Sequence, residues 1–132
     1  MNKASIAAVF NELESGHPEN FFKYVAADVA WTVMGTHPLA GTYHSKEEFR
    51  QATMVRLNGL TTGNSLKLHT ENIWLEDQTA IVELSANAST KKGTPFKNRY
   101  CWICRFELNL IVEVRAYLDS ALVQKIIDES KS

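Results

Sequence analysis

The spacing of apolar residues changes twice along the chain. In the first part it is helical. Ile6, Val9, Phe10 and Leu13 recur at i, i+3, i+4 and i+7, one face of an amphipathic helix. Gly16 supplies a stop, and Pro18 suits the first turn of a second short helix, PENFFKYV at 18–25. VAWTVMG at 29–35 is β-branched and aromatic and predicts a short strand. THPLAGTYH at 36–44, with Pro38 and Gly41, predicts an irregular loop. SKEE at 45–48 has the form of a capping box, in which Ser45 accepts from the backbone of Glu48 and Glu48 reaches back. The helix that follows carries Phe49, Ala52, Thr53 and Leu57 on one side.

After TTGN at 61–64 the period falls to two. Alternation predicts strands over 65–76, 79–90, 95–107 and 110–119, with turns at Asp77 and Gln78, at 91–93, and at Leu108 and Asn109. A last helix carries Leu122, Val123, Ile126 and Ile127 on its apolar side. Helices cluster early and strands late, which defines an α+β fold. A twisted antiparallel sheet with helices over one face makes a cone-shaped roll, open at one end. The expected architecture is one short and four long strands packed on three to four helices. No repeat or linker interrupts residues 1–132, so a single domain is expected.

Composition narrows the function classes. The chain has 132 residues, 45% of them hydrophobic, enough for a compact core without staples. Fourteen basic and 15 acidic residues give a formal net charge of -1 with no block of like charge, which argues against nucleic acid or an anionic membrane as partner. The apolar runs are too short to span a bilayer, and the N-terminal stretch reads as a helix and not a signal peptide, so a cytoplasmic protein is expected. Cys101 and Cys104 form CWIC, a redox or metal spacing, but they sit in a strand pattern. Residues three apart on a strand point to opposite faces, so two unlinked thiols are expected. His17, His44 and His69 lie apart with no ligand spacing. No metal and no cofactor are expected. A Gly-x-Ser-x-Gly elbow and a phosphate-binding glycine loop are both absent.

Three stretches, WTVMGTHPLAGTYHSKEEF, NRYCWICRFE and IVEVRAYLDSAL, together with the element order, resemble the nuclear-transport-factor-2-like superfamily, most closely its SnoaL-like and ketosteroid-isomerase-like branch. The resemblance covers nearly the whole chain and implies a cone that holds a small apolar molecule. It also implies a homodimer formed through the sheet. It does not choose a reaction, because the superfamily hosts isomerases, cyclases, hydrolases, dehydratases and non-enzymes. The isomerase chemistry needs a carboxylate base and an oxyanion hole of tyrosine and protonated aspartic acid. The matching positions here are Val9, Met34 and Trp102, which cannot perform it, and the neighbours Thr32, Val33 and Ile103 do not rescue it. The family's usual Asp-Gly in the last hairpin is Leu108 and Asn109 here.

By the resemblance, Asn98, Tyr100, Trp102 and Cys104 line the cone, and Arg99, Cys101, Ile103 and Arg105 face outward. Two registers remain open for the last strand. A three-residue loop, 107–109, pairs Trp102 with Val114 and turns Val114, Ala116 and Leu118 inward. A two-residue loop pairs Trp102 with Arg115 and turns Arg115, Tyr117 and Asp119 inward. Family geometry favours the first. The expected wall is Trp31, Met34, Tyr43, Asn98, Tyr100, Trp102 and Leu118. His37, in the loop over the mouth, and Asp119, at the rim, are the candidates for proton transfer. Plainer roles compete: a solvated loop histidine, and a helix N-cap at Asp119. An outer-face ion pair is expected between Glu83 and Arg105. The reading is a small-molecule protein with acid-base activity. Its alternatives are a non-catalytic binder or a protein-interaction module of the same fold.

Overall fold

The computed structural model describes residues 1–64 and 66–131. The helices are α1 (Lys3–Asn11), α2 (Pro18–Phe22), α3 (Lys46–Phe49), α4 (Val55–Leu60) and α5 (Ser120–Ser130), with a π-helical segment (Arg50–Met54) joining α3 to α4. The strands are β1 (Val25–Val33), β2 (Gly41–Tyr43), β3 (Leu68–Glu76), β4 (Thr79–Ala86), β5 (Ala88–Ser89), β6 (Pro95–Phe96), β7 (Arg99–Glu107) and β8 (Leu110–Leu118). Six strands form the main sheet in the order β2-β1-β8-β7-β4-β3, and β5 and β6 form a separate pair. The α+β cone expected from the pattern is present, with helices over one curved face. Among the described residues, no helix is long and apolar enough to cross a membrane.

Tertiary pairing moved several boundaries. α2 ends at Phe22 instead of running to Val25, because the Tyr24 carbonyl accepts from the Ile111 amide at 2.8 Å and Val25 already pairs with Ile111. β1 is therefore a nine-residue strand, not a short one from 29, and it runs parallel to β8 inside an otherwise antiparallel sheet. Part of the expected loop at 36–44 is β2, paired to β1 with the Thr32 and Thr42 hydroxyls 3.0 Å apart. Ser45 accepts from the Glu48 amide as expected, at 3.0 Å. β3 begins at Leu68; Ser65, expected to open that strand, lies outside the described residues. The strands expected over 79–90 and 95–107 are both interrupted, at Asn87 and before Arg99, which frees the β5–β6 hairpin.

The β7–β8 register decides the inner face. Glu107 pairs with Leu110, leaving Leu108 and Asn109 as a two-residue turn with φ of +51° and +65°. Positive φ at both positions matches a primed hairpin turn. By itself that turn would set Trp102 opposite Arg115. A bulge intervenes, because Phe106 pairs with Ile111 while Arg105 pairs with Glu113, so Val112 is extra. Trp102 therefore sits opposite Ala116, two residues beyond the favoured Val114 pairing. The parity is unchanged, so Val114 and Ala116 are buried and Arg115 and Tyr117 exposed.

Aromatic rings fill the cone. The Trp31 ring stacks on Phe49 at 3.9 Å between centroids and meets Trp102 edge-on at 5.1 Å. Phe10 and Phe21 close the other side of Trp102 at 6.2 and 6.3 Å. The tilted and edge-on pairs around Trp102 are arrangements the ring quadrupoles favour.

Candidate functional site

Between the inner sheet face and the π segment, a cavity of about 40 Å³ remains. β1, β7 and β8 contribute Trp31, Tyr100, Trp102, Ala116 and Leu118, and the helical roof contributes Phe49, Thr53, Met54 and Leu57. The loop after β1 adds His37 and Leu39. This volume holds a water or two, against roughly 300–1,000 Å³ for a small-molecule pocket. The cone is thus largely filled by its own side chains. A larger groove of about 740 Å³ lies between α1, Tyr24 and the β7–β8 turn, and shares no lining residue with the cone cavity.

The polar atoms of the lining divide into two groups. Thr53 Oγ1 donates to the Phe49 carbonyl at 2.8 Å. His37 is 5% exposed and engaged at both ring nitrogens. Nε2 donates to the Met34 carbonyl at 3.0 Å, and Nδ1 accepts from the Leu39 amide at 3.2 Å. That pair of partners defines the neutral tautomer protonated at Nε2. The Tyr100 hydroxyl and the Trp31 indole Nε1 form the second group. Both are buried, with no hydrogen-bond partner among the described residues. Burial pushes the Tyr100 phenol far above its ordinary range, so it remains a protonated donor. An unpaired buried polar group costs about 1–3 kcal/mol.

The remaining expected site residues lie elsewhere or carry structural bonds. Asn98 is fully buried and bonds at both ends of its amide: Oδ1 accepts from the Arg99 and Asp119 amides at 2.8 and 2.9 Å, and Nδ2 donates to the Asp119 carbonyl at 3.3 Å. It ties the start of β7 to the β8–α5 junction. Asp119 is exposed and its Oδ1 accepts from the Leu122 amide at 3.2 Å, the capping role. Met34 and Tyr43 are half-buried but outside the cavity lining; the Tyr43 hydroxyl donates to the Leu39 carbonyl at 2.8 Å and its ring meets Phe49 edge-on. Arg105 pairs with Glu107 and Glu113 instead of Glu83, which accepts from Asn72. Register explains this: on β4 Arg105 lies opposite Thr79, four residues from Glu83, while on β8 the bulge sets Glu113 directly opposite it.

Cys101 is half-buried, Cys104 is fully buried, and both are free. Burial raises the Cys104 thiol strongly, and burial with the Glu83 carboxylate nearby raises Cys101. Among the described residues, no group of three or more His, Cys, Asp or Glu side chains is placed to hold a metal ion.

The π segment and Leu39 were not foreseen as cavity walls. The stripe of Phe49, Thr53 and Leu57 was legible as one helix side. Its widening into a π turn, which brings Thr53 and Met54 both into the wall, leaves no sequence signal. Such turns recur at functional sites.

With the cone and its orphan donors described, the class follows from comparison. The SnoaL-like domain matches residues 6–114, and the chain belongs to that family. The dimerizing cyclase phiC of a fungal species is 33% identical over 125 residues, covering 92% of this chain and 55% of its own length. The dimerizing cyclase tstC of Talaromyces stipitatus is 30% identical over 112 residues, covering 83% of this chain and 50% of its own length. The chain thus spans about half the length of these curated relatives. A nuclear-transport-factor-2-like protein from Burkholderia thailandensis superposes with a TM-score of 0.78 at 23% identity, covering 93% of this chain and 95% of that one. At this identity, the match shows the shared fold.

Proposed function

We propose that the cone holds one small, largely apolar molecule presenting an acceptor oxygen, such as a carbonyl, and that the chain orients and polarises it. The Tyr100 hydroxyl carries this reading: a buried donor with no partner among the described residues, on a wall whose Thr53 and His37 are already bonded to backbone. Trp31 Nε1 supports it, because an indole can only donate. A ligand that supplied acceptors would satisfy both atoms; a protonated amine, which can only donate, would leave Trp31 Nε1 unpaired. The names of the two fungal relatives make ring-forming chemistry the first activity to test. Ring closure onto a carbonyl builds negative charge on its oxygen, which a fixed donor in a dry site stabilises. In this reading His37 and Asp119 hold structure and do not carry protons.

Non-catalytic binding is the second reading. It is favoured because, among the described residues lining the cavity, there is no carboxylate and no imidazole nitrogen free of backbone bonds. In either reading the outer sheet face suits a second copy of the chain. A cross-strand row of Trp74, Ile81, Ile103 and Arg115 runs over four strands, with Trp74 52% and Tyr117 43% exposed.

The test is calorimetric titration of the wild-type chain and Tyr100→Phe with aryl ketones and the matching compounds that lack the oxygen. Wild type should prefer the ketones by about tenfold or more, the worth of one buried hydrogen bond, and the variant should not discriminate. Equal affinity of wild type for both series would refute the reading. Turnover of a cyclisable ketone would then separate enzyme from binder.

A further inference from the structure

We propose that residues 35–41 form a hinged flap over the cone and that His37 is its latch. The proposal rests on the cone being a ligand site, because a cavity of about 40 Å³ must enlarge before a molecule of more than a few atoms can enter.

The segment has the anatomy of a flap. Gly35, Thr36 and Pro38 are exposed, while His37 and Leu39 turn inward as two plugs, 5% and 3% exposed. Glycines stand at both ends, with φ of +117° at Gly35 and +139° at Gly41, conformations that side-chain-bearing residues rarely adopt. Nothing lies within 4 Å of where a Cβ on Gly41 would sit, and its pairing with Val33 at the start of β2 gives the turning piece a fixed shoulder. Gly35 does the opposite. A Cβ there would fall 2.4 Å from the Ser120 hydroxyl, so the missing side chain lets the closed segment lie flush against the start of α5. Hinges are commonly a few such positions flanking a rigid piece.

Two side chains pin the piece, His37 with two bonds and Tyr43 with one. Both imidazole nitrogens of His37 bond to backbone within the segment and at its edge, to the Met34 carbonyl and the Leu39 amide. Tyr43 adds a bond to the Leu39 carbonyl from β2. The other elements around the cone are tied down more heavily. α5 buries Val123, Ile126 and Ile127, is held through the Asn98–Asp119 bonds, and accepts from Thr94 at Glu129. Lifting the flap breaks a few hydrogen bonds and exposes two side chains, a local opening far cheaper than moving the sheet or α5.

Trp31 and Trp102 line the cavity at 0% and 3% exposure, so their fluorescence reports access to it. Exposed Trp74 is removed as Trp74→Phe, and acrylamide serves as the quencher, with amide hydrogen exchange followed in parallel. This needs no ligand, so its outcome is independent of the ketone titration above. In that background His37→Ala should raise the quenching constant about threefold or more and speed exchange at Leu39 and Ala40, while exchange in β7 and β8 stays unchanged. His37→Asn, whose Oδ1 can replace Nδ1 toward Leu39, and His37→Gln, whose amide can replace Nε2 toward Met34, should fall between. Unchanged exchange at Leu39 and Ala40 in His37→Ala overturns the latch. Faster exchange with unchanged quenching overturns the flap as the entrance, and faster exchange throughout β7 and β8 assigns His37 to global stability instead.

Discussion

The two faces of the sheet are built from the same strands by different rules. Inside, the rows across β4, β7 and β8 place Val82, Trp102 and Ala116 side by side, all at 3% exposure or less. Outside, one residue along, Ile81, Ile103 and Arg115 form the corresponding row, and Arg105 shares Glu107 and Glu113 in solvent-exposed ion pairs. The inner face is bonded by packing, and a polar atom left unsatisfied there costs about 1–3 kcal/mol. The outer face is bonded by contacts that water screens. The inner face is therefore where a missing partner means something, and Tyr100 and Trp31 are missing partners there.

The sharpest way to break this contrast is to exchange the faces. Deleting Val112 removes the bulge and moves every later residue of β8 to the other side, turning Arg115 and Tyr117 into the cone. The expected result is loss of cooperative folding by circular dichroism; a stable, cooperative deletion variant would show that the bulge does not set the faces. Trp102→Ala, which hollows the aromatic cluster, should cost about 3–5 kcal/mol in urea denaturation, and a loss under about 1 kcal/mol would mean that the inner face is not close-packed.

Tyr100 and Cys104 give the next effect, through pH. Their ordinary values are 10.0 and 9.0, and burial raises both in the folded state. Above those ordinary values the unfolded chain releases protons that the folded chain keeps, so stability falls as pH rises from about 9 and is fully present below it. Tyr100→Phe should flatten the alkaline slope. At neutral pH the same change should raise the ligand-free stability by about 1 kcal/mol, since it deletes an unsatisfied hydroxyl. A clear destabilisation at neutral pH would mean that the hydroxyl has a partner. On the outer face Arg105→Ala should change stability by about 0.5 kcal/mol or less. Trp74→Asp should leave the fold intact while abolishing any dimer seen by light scattering.

Much of the inner face was legible. The alternation of NRYCWIC separates Tyr100 and Trp102 from Cys101 and Ile103, and the structure keeps that separation. The stripe at Phe49, Thr53 and Leu57 was visible for the same reason. The N-cap at Asp119 was legible too, as its plainer role. The roles of Asn98 and His37 were not: both have the chemistry of a ligand or proton group, and both instead bond to backbone, which no residue type announces. Tyr100 became informative only through the absence of such a bond.

Periodicity, turn residues and caps are local, and they sufficed for the element order, the α+β class and which residues on a strand share a side. Side-chain direction follows from backbone geometry over two to four residues, so the sequence alone could determine it. The pairing of Trp102 with Ala116, the closure of the cone to about 40 Å³ and the two bonds on His37 belonged to the tertiary structure. The first turned on one inserted residue, the second on how ring volumes from distant segments fill a shared space, and the third on a loop folded against its own carbonyl. Those outcomes depend on distances between atoms that the order of residues does not specify.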